Sequence, residues 1–171
     1  MALERERKYQ IDMSTVQRVR ALLVAAGGSV RCEMQRNVIF SPTPQGVLLR
    51  LRETEGSISG RELTAKQDRS AEPFEKVRDE LTVQLGGGPV EELLNVLGYR
   101  AVLEYEKRTE IFFSSAVAIS LDDVTGLGYF CEIEAIDPDA DLGSVAARLS
   151  LSDSALESRS YPELVLAHAD R

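Results

Sequence analysis

Two carboxylates and an ammonium alternate at the start of the chain, at Glu4, Glu6 and Lys8. On an extended strand, residues i and i+2 share a face, so all three project to one side. Hard divalent ions such as Mg2+ and Mn2+ take oxygen ligands, and need few protein carboxylates where phosphates supply the rest. Glu132 and Glu134 repeat the spacing near the other end. Between the two pairs lie Arg50, Arg52, Lys66, Arg78 and the adjacent Lys107 and Arg108. Guanidinium binds phosphate bidentately and lysine binds it as a point charge. Carboxylate pairs in one place and several cations in another suit a metal-bridged polyphosphate better than a sugar or a peptide.

These groups must be positioned by strands. Period-two patterning and turn residues predict strands at about 2–10, 30–41, 46–54, 60–69, 74–85, 100–114, 116–123 and 129–136. Helices are predicted over 15–26, with Ser14 as its cap and Gly27-Gly28 as its end, and over 90–97, between Pro89 and Gly98. Two short helices follow from about 141, at 141–149 and 161–169. Arg50 and Arg52 share a face that opposes Val47, Leu49 and Leu51. Lys66 shares one with Glu62 and Thr64, and Arg78 shares one with Lys76 and Glu80. Asp122 lies with Ala118 and Ser120, and Glu132 and Glu134 oppose Cys131 and Ile133. For any one strand, a charged face turned to bulk water is the plain explanation. Many such strands in one chain fit a barrel with a charged lumen, and about eight strands leave room inside for a small ligand. Charge that dense is tolerated in a lumen only when paired, hydrated or bound to metal and ligand.

Composition narrows the class. The 171 residues are 43% hydrophobic, enough for a real core and the size of one domain, 1–171. A net charge of −8 alongside 20 basic residues argues against binding a nucleic-acid polymer, while leaving a local basic pocket for a small anion. No signal peptide precedes the first charged motif and no apolar run approaches the ~20 residues of a membrane span, so the chain reads as soluble, cytoplasmic and without a membrane partner. Cys32 and Cys131 lack metal-ligand spacing and read as reduced thiols. His168, the sole histidine, falls in the predicted tail helix and argues against histidine-based catalysis. Gly86–Gly88 has no following Lys-Ser/Thr, so it is a turn and not a phosphate-binding loop.

The ordered set of motifs resembles the CYTH proteins, or triphosphate tunnel metalloenzymes, which include class IV adenylate cyclases, thiamine triphosphatases and inorganic triphosphatases. Glu4-Arg5-Glu6-Arg7-Lys8 fits the family's ExExK string. It is followed by Leu49-Arg50-Leu51-Arg52, Leu63-Thr64-Ala65-Lys66, Arg78-Asp79-Glu80, Glu106-Lys107-Arg108, Leu121-Asp122-Asp123, Glu132-Ile133-Glu134 and Ser158-Arg159-Ser160-Tyr161. The likeness runs from residue 3 to about 166. It implies an α+β fold, an eight-stranded antiparallel β-barrel open at both ends with outer helices. It implies Mg2+ or Mn2+ on Glu4, Glu6, Asp122, Glu132 and Glu134. The triphosphate would be gripped by Lys8, Arg50, Arg52, Lys66, Arg78 and Arg108, with Glu80 orienting cations and Glu4, Glu6 and Lys8 at the catalytic centre. The family often spaces its late basic residues as Lys-x-Arg. Here they are adjacent and face opposite sides of a regular strand. Parity with Glu104, Glu106 and Glu110 turns Arg108 inward, and a bulge would turn in Lys107 instead. Some relatives carry an acid where this chain has Ser120. Arg159 and Tyr161 read equally as structural clasps or as the closure of one tunnel mouth.

The activity expected is metal-dependent hydrolysis of an inorganic, thiamine or nucleoside triphosphate. A class IV cyclase converting ATP to cyclic AMP and pyrophosphate is the main alternative, and a non-catalytic polyphosphate- or nucleotide-binding module the next. A homodimer is the assembly guess.

Overall fold

The computed structural model describes residues 2–71 and 74–169, so the outermost positions of the 1–171 domain expectation lie outside the described residues. Eight strands close into one antiparallel barrel: β1 (Ala2–Ile11), β2 (Ser29–Ser41), β3 (Val47–Gly56), β4 (Gly60–Ala71), β5 (Lys76–Leu85), β6 (Arg100–Phe113), β7 (Val117–Val124) and β8 (Gly128–Ala135). Their order around the barrel is β1-β5-β4-β3-β2-β6-β7-β8. Each expected strand is present to within two residues at either end. The helices are α1 (Met13–Ala25), α2 (Val90–Val96), α3 (Leu142–Arg148) and α4 (Tyr161–Ala169).

Helix α1 begins earlier than the sequence suggests. Asp12, and not Ser14, is the cap: its Oδ1 accepts from the Thr15 amide at 2.7 Å, while Ser14 lies inside the first turn and donates its hydroxyl to the same carboxylate. A cap must precede the first helical residue and reach an amide two or three positions on, which Asp12 does. At the other end Gly27 has φ +73°, a left-handed conformation that glycine adopts without strain.

Because the lumen is charged, the main apolar cores lie outside the barrel wall. Val16 and Val19 of α1 and Leu142, Val145 and Ala146 of α3 pack on Tyr9, Ile119, Cys131 and Ile133. Leu94 of α2 covers Val38, Phe40 and Leu51. Each covered strand therefore shows apolar side chains outward and polar ones inward. This inverts the usual arrangement of a half-buried strand. A third cluster differs. Ile39, Tyr105, Val124 and Phe130 come from inward-facing positions and meet Tyr161 and Leu164 of α4 at one end of the barrel.

Candidate active site

The lumen holds a cavity of about 330 Å³. Glu4, Glu6 and Lys8 of β1 line it, with Arg50 and Arg52 of β3, Glu62 and Lys66 of β4, and Arg78 and Glu80 of β5. Lys107 and Thr109 of β6 and Glu132 and Glu134 of β8 complete most of its polar wall. The antiparallel register sets the pairings: Glu4 lies opposite Arg78, Glu6 opposite Glu134, and Lys8 opposite Glu132. All three residues of the first motif are buried. The expected Glu4-x-Glu6-x-Lys8 face and its partner Glu132-x-Glu134 therefore form one continuous wall.

Two assignments change. Lys107 faces the cavity and is buried, whereas Arg108 is exposed on the outside of the barrel. The parity with Glu104, Glu106 and Glu110 misleads because those carboxylates sit on the outer face. There, Glu104 pairs with Arg36 at 2.6 Å and Glu110 with Arg20 at 2.7 Å. The inward residues of β6 are Tyr105, Lys107 and Thr109, so Thr109 stands where a Lys-x-Arg spacing would place arginine. Asp122 is buried and turned inward but does not line the cavity; its Oδ2 accepts from Lys107 Nζ and from the Tyr161 hydroxyl, each at 2.7 Å.

The charged side chains are paired across the lumen. Glu4 accepts from Lys66 at 2.6 Å and from Arg78 at 3.0 Å, and Arg78 reaches Glu6 at 2.7 Å. Lys66 also contacts Glu80 at 2.8 Å; burial alone would raise the Glu80 carboxyl, but Lys66 holds it below its ordinary range. Glu132 lies between Lys8 at 3.7 Å and Lys107 at 3.8 Å.

Pairing is weakest at two places, and they carry opposite signs. Arg50 is buried, its Nε has no partner, and its nearest carboxylate oxygen, on Glu62, is 3.3 Å from NH2. Burial, followed by repulsion from Arg52, lowers its hold on the proton. Glu134 makes no ion pair among the described residues; its side chain reaches solvent, yet desolvation by the surrounding wall, with Glu4, Glu6 and Glu132, pushes its carboxyl up to about 7 despite Lys66. An anion would relieve the first strain and a cation the second. The donor set around Glu134 is all oxygen, as Mg2+ or Mn2+ requires. As the side chains stand, no three acidic, histidine or cysteine groups among the described residues converge on one ion position. Glu4 and Glu6 are instead occupied by Lys66 and Arg78.

Several inward residues carry no motif. Gln35 and Asn37 of β2 are buried and inward, and Asn37 accepts from Arg52 Nε at 2.9 Å. The alternation Glu33, Gln35, Asn37 was the available signal, muted because amides carry no charge. A second cavity, about 380 Å³, shares Leu48, Lys66, Arg78, Ser160 and Pro162 with the first and is otherwise walled largely by Ile39, Val47, Val102, Leu103 and Leu166. The interior thus continues past the start of α4 into a more apolar mouth. Arg159 is exposed and paired with Glu157, His168 is exposed, and both cysteines are free.

A closed eight-stranded antiparallel barrel with facing acidic and basic walls defines the class. Residues 2–161 match the CYTH domain, and the chain belongs to that family, whose members are adenylate cyclases or triphosphatases acting on small triphosphates. Over 80 residues it is 40% identical to adenylate cyclase CyaB of Aeromonas hydrophila, a match spanning 42% of either protein. Thus the match takes in less than half the length of that relative. Among solved structures, the PH1819 protein of Pyrococcus horikoshii OT3 superposes with a TM-score of 0.82 at 27% identity, covering 98% of this chain and 99% of the other. HpAC1 of Hippeastrum, described as having a dominant triphosphatase activity, shares the fold at 12% identity with a TM-score of 0.68, covering 98% of this chain and 96% of that one. No helix among the described residues is long and apolar enough to cross a membrane.

Proposed function

We propose that the chain is a divalent-metal-dependent hydrolase of a triphosphate, which binds its phosphates along the Arg50 side of the lumen. The observation that carries this reading is the buried guanidinium of Arg50, with Nε unpartnered, set beside Arg52 and sharing the cavity with an acidic wall in which Glu134 pairs with no side chain among the described residues. Arg50, Arg52, Lys66, Arg78, Lys8 and Lys107 hold the phosphate chain and stabilise negative charge on the leaving group. Glu80 contacts Lys66 at 2.8 Å and directs it into the lumen. Glu4, Glu6, Glu132 and Glu134 are the residues that would hold Mg2+ or Mn2+. Such an ion, when bound, supplies charge neutralisation on phosphate oxygens and a more acidic water. The barrel walls align the phosphates and restrict bulk water to the cavity. Hydrolysis requires only this cradle and a water; cyclisation requires in addition a ribose hydroxyl held in line with the α-phosphorus.

The second cavity favours a second reading. Its apolar wall at Ile39, Val47, Leu103 and Leu166 adjoins the phosphate-binding Lys66 and Arg78. An organic group of a triphosphate ester fits there, as the adenylate cyclase alternative needs. The deciding assay offers ATP, thiamine triphosphate and tripolyphosphate with Mg2+ or Mn2+ and separates phosphate, pyrophosphate and cyclic AMP. Phosphate release is the expected outcome. Cyclic AMP with stoichiometric pyrophosphate as the main products replaces hydrolysis by cyclisation, and triphosphate binding without turnover reduces the chain to a binding module.

A further inference from the structure

The segment that leads into α4 touches the tunnel lysines from behind. Tyr161, the first residue of that helix, is buried, with its ring edge-on to Phe130 at 5.2 Å between centroids. The same ring centroid lies 4.4 Å from Lys8 Nζ and 5.1 Å from Lys107 Nζ, so two cavity-lining ammonium groups share one aromatic ring. Lys8 also donates to the Arg159 carbonyl at 2.6 Å, two residues earlier. Asp122 completes the set. Its side chain has no exposed surface, and a single oxygen, Oδ2, takes both the Lys107 ammonium and the Tyr161 hydroxyl.

We propose that Asp122 and Tyr161 are positioning residues that fix Lys107 and Lys8 for phosphate, and that Asp122 lies outside the metal shell. This rests on the triphosphate reading of the lumen. Three geometric facts support it. Asp122 is not among the residues that line the cavity with Glu4, Glu6, Glu132 and Glu134, while Lys8, Lys107 and Tyr161 all line it. Its carboxylate already neutralises a buried cation, and drawing it away would leave Lys107 with only Glu132 at 3.8 Å. The tyrosine hydroxyl and the lysine ammonium converge on Oδ2, so Asp122 sets the distance between the ring and Lys107. In the bound state each lysine keeps protons free for phosphate, while its direction is set by the tyrosine ring, by Asp122 for Lys107 and by the Arg159 carbonyl for Lys8.

The test separates anion binding from metal binding. Tripolyphosphate affinity is measured by calorimetry in EDTA, and Mn2+ affinity by electron paramagnetic resonance without phosphate, for the wild type, Asp122→Asn and Tyr161→Phe. Asp122→Asn is expected to weaken tripolyphosphate about tenfold or more, the loss of a charge-assisted contact worth at least ~1.4 kcal/mol. It should leave Mn2+ within about twofold, a factor worth only ~0.4 kcal/mol. Tyr161→Phe keeps the ring and its packing, so it folds even if Asp122→Asn does not, and it should show the same split at about threefold. Mn2+ weakened with tripolyphosphate unchanged makes Asp122 a metal ligand and overturns the proposal. Unchanged affinities, or equal losses of both, also overturn it, because a purely structural role would not separate the two. A wild type that binds no tripolyphosphate either in EDTA or with saturating Mg2+ sinks the functional reading and this inference with it; normal wild-type binding with unaltered variants sinks this inference alone.

Discussion

Glu134 shows how a single side chain reports the chemistry of the lumen. Although its side chain reaches solvent, desolvation by the lumen wall, and then the neighbouring Glu4, Glu6 and Glu132, push its carboxyl up to about 7 from an ordinary 4.5, against the pull of Lys66. A carboxyl raised on folding binds its proton more tightly in the native state. Its contribution to stability is therefore complete below the unfolded value near 4.5 and is lost as pH rises through about 7. In metal-free protein, the melting temperature should fall modestly between about pH 5 and pH 8, because the Glu134 side chain is exposed and solvent screens the repulsion. Glu134→Gln should flatten that fall, and saturating Mn2+ should reverse it by supplying the missing positive charge. Thermal melts in EDTA decide the matter: a melting temperature that rises over the interval, or a fall equally steep in Glu134→Gln, removes the carboxylate cluster as its cause. The apparent titration belongs to the cluster as a whole, so the midpoint is less diagnostic than the difference between the two proteins.

Helix and strand boundaries were legible where local chemistry is punctuated. Gly27 with its positive φ ends α1 as expected, and the strands carrying Arg50/Arg52, Lys66, Arg78 and Glu132/Glu134 present those residues inward because alternation survives any twist of the sheet. Legibility failed on β6. The outer face there is more charged than the inner one, since Glu104 and Glu110 bind Arg36 of β2 and Arg20 of α1, and no pattern within one strand reveals a partner supplied by another. The amides of Gln35 and Asn37 and the hydroxyl of Tyr161 escaped for a related reason: they act by accepting or donating one bond at a distance set by the barrel. Asp12 was missed as the cap of α1 because Ser14 is also a cap former, and only the dihedral angles choose between them. Asp12→Ala should lower the melting temperature by a few degrees, whereas Ser14→Ala should leave it nearly unchanged. Calorimetry of the two variants tests the assignment, and a larger loss from Ser14→Ala contradicts it. The Asp12 carboxyl is held below its ordinary value by the Thr15 amide, so its contribution is present above the unfolded value and disappears as pH falls through the folded one.

At the scale of the whole barrel, the acidic and basic walls neutralise each other, and this couples the two ligands. Lys66 and Arg78 are held by Glu4 and Glu6. A triphosphate that takes those cations leaves the two carboxylates beside Glu134 without partners, deepening the strain already present there. A divalent ion that takes the carboxylates leaves a buried ammonium and guanidinium unpaired. Either ligand alone thus breaks internal ion pairs and strands one set of charges in the lumen, at a cost of several kcal/mol per fully buried, uncompensated ion even after relaxation. Together they exchange partners: phosphate oxygens receive the cations and the metal receives the carboxylates. Positive coupling must follow, and it must be reciprocal, with each ligand tightening the other by one and the same factor. We expect a factor of roughly 5–150, the usual range for such coupling. Titrating Mn2+ with and without a saturating non-hydrolysable triphosphate, correcting for metal bound by the free triphosphate, measures it directly. Arg78→Met removes one of the cations that Glu4 and Glu6 must release, so in this variant Mn2+ alone should bind more tightly and the coupling should shrink. Independent binding of the two ligands in the wild type, or an unchanged coupling in Arg78→Met, would mean that the ion pairs across the lumen persist in the loaded protein and that the cradle operates without exchanging them.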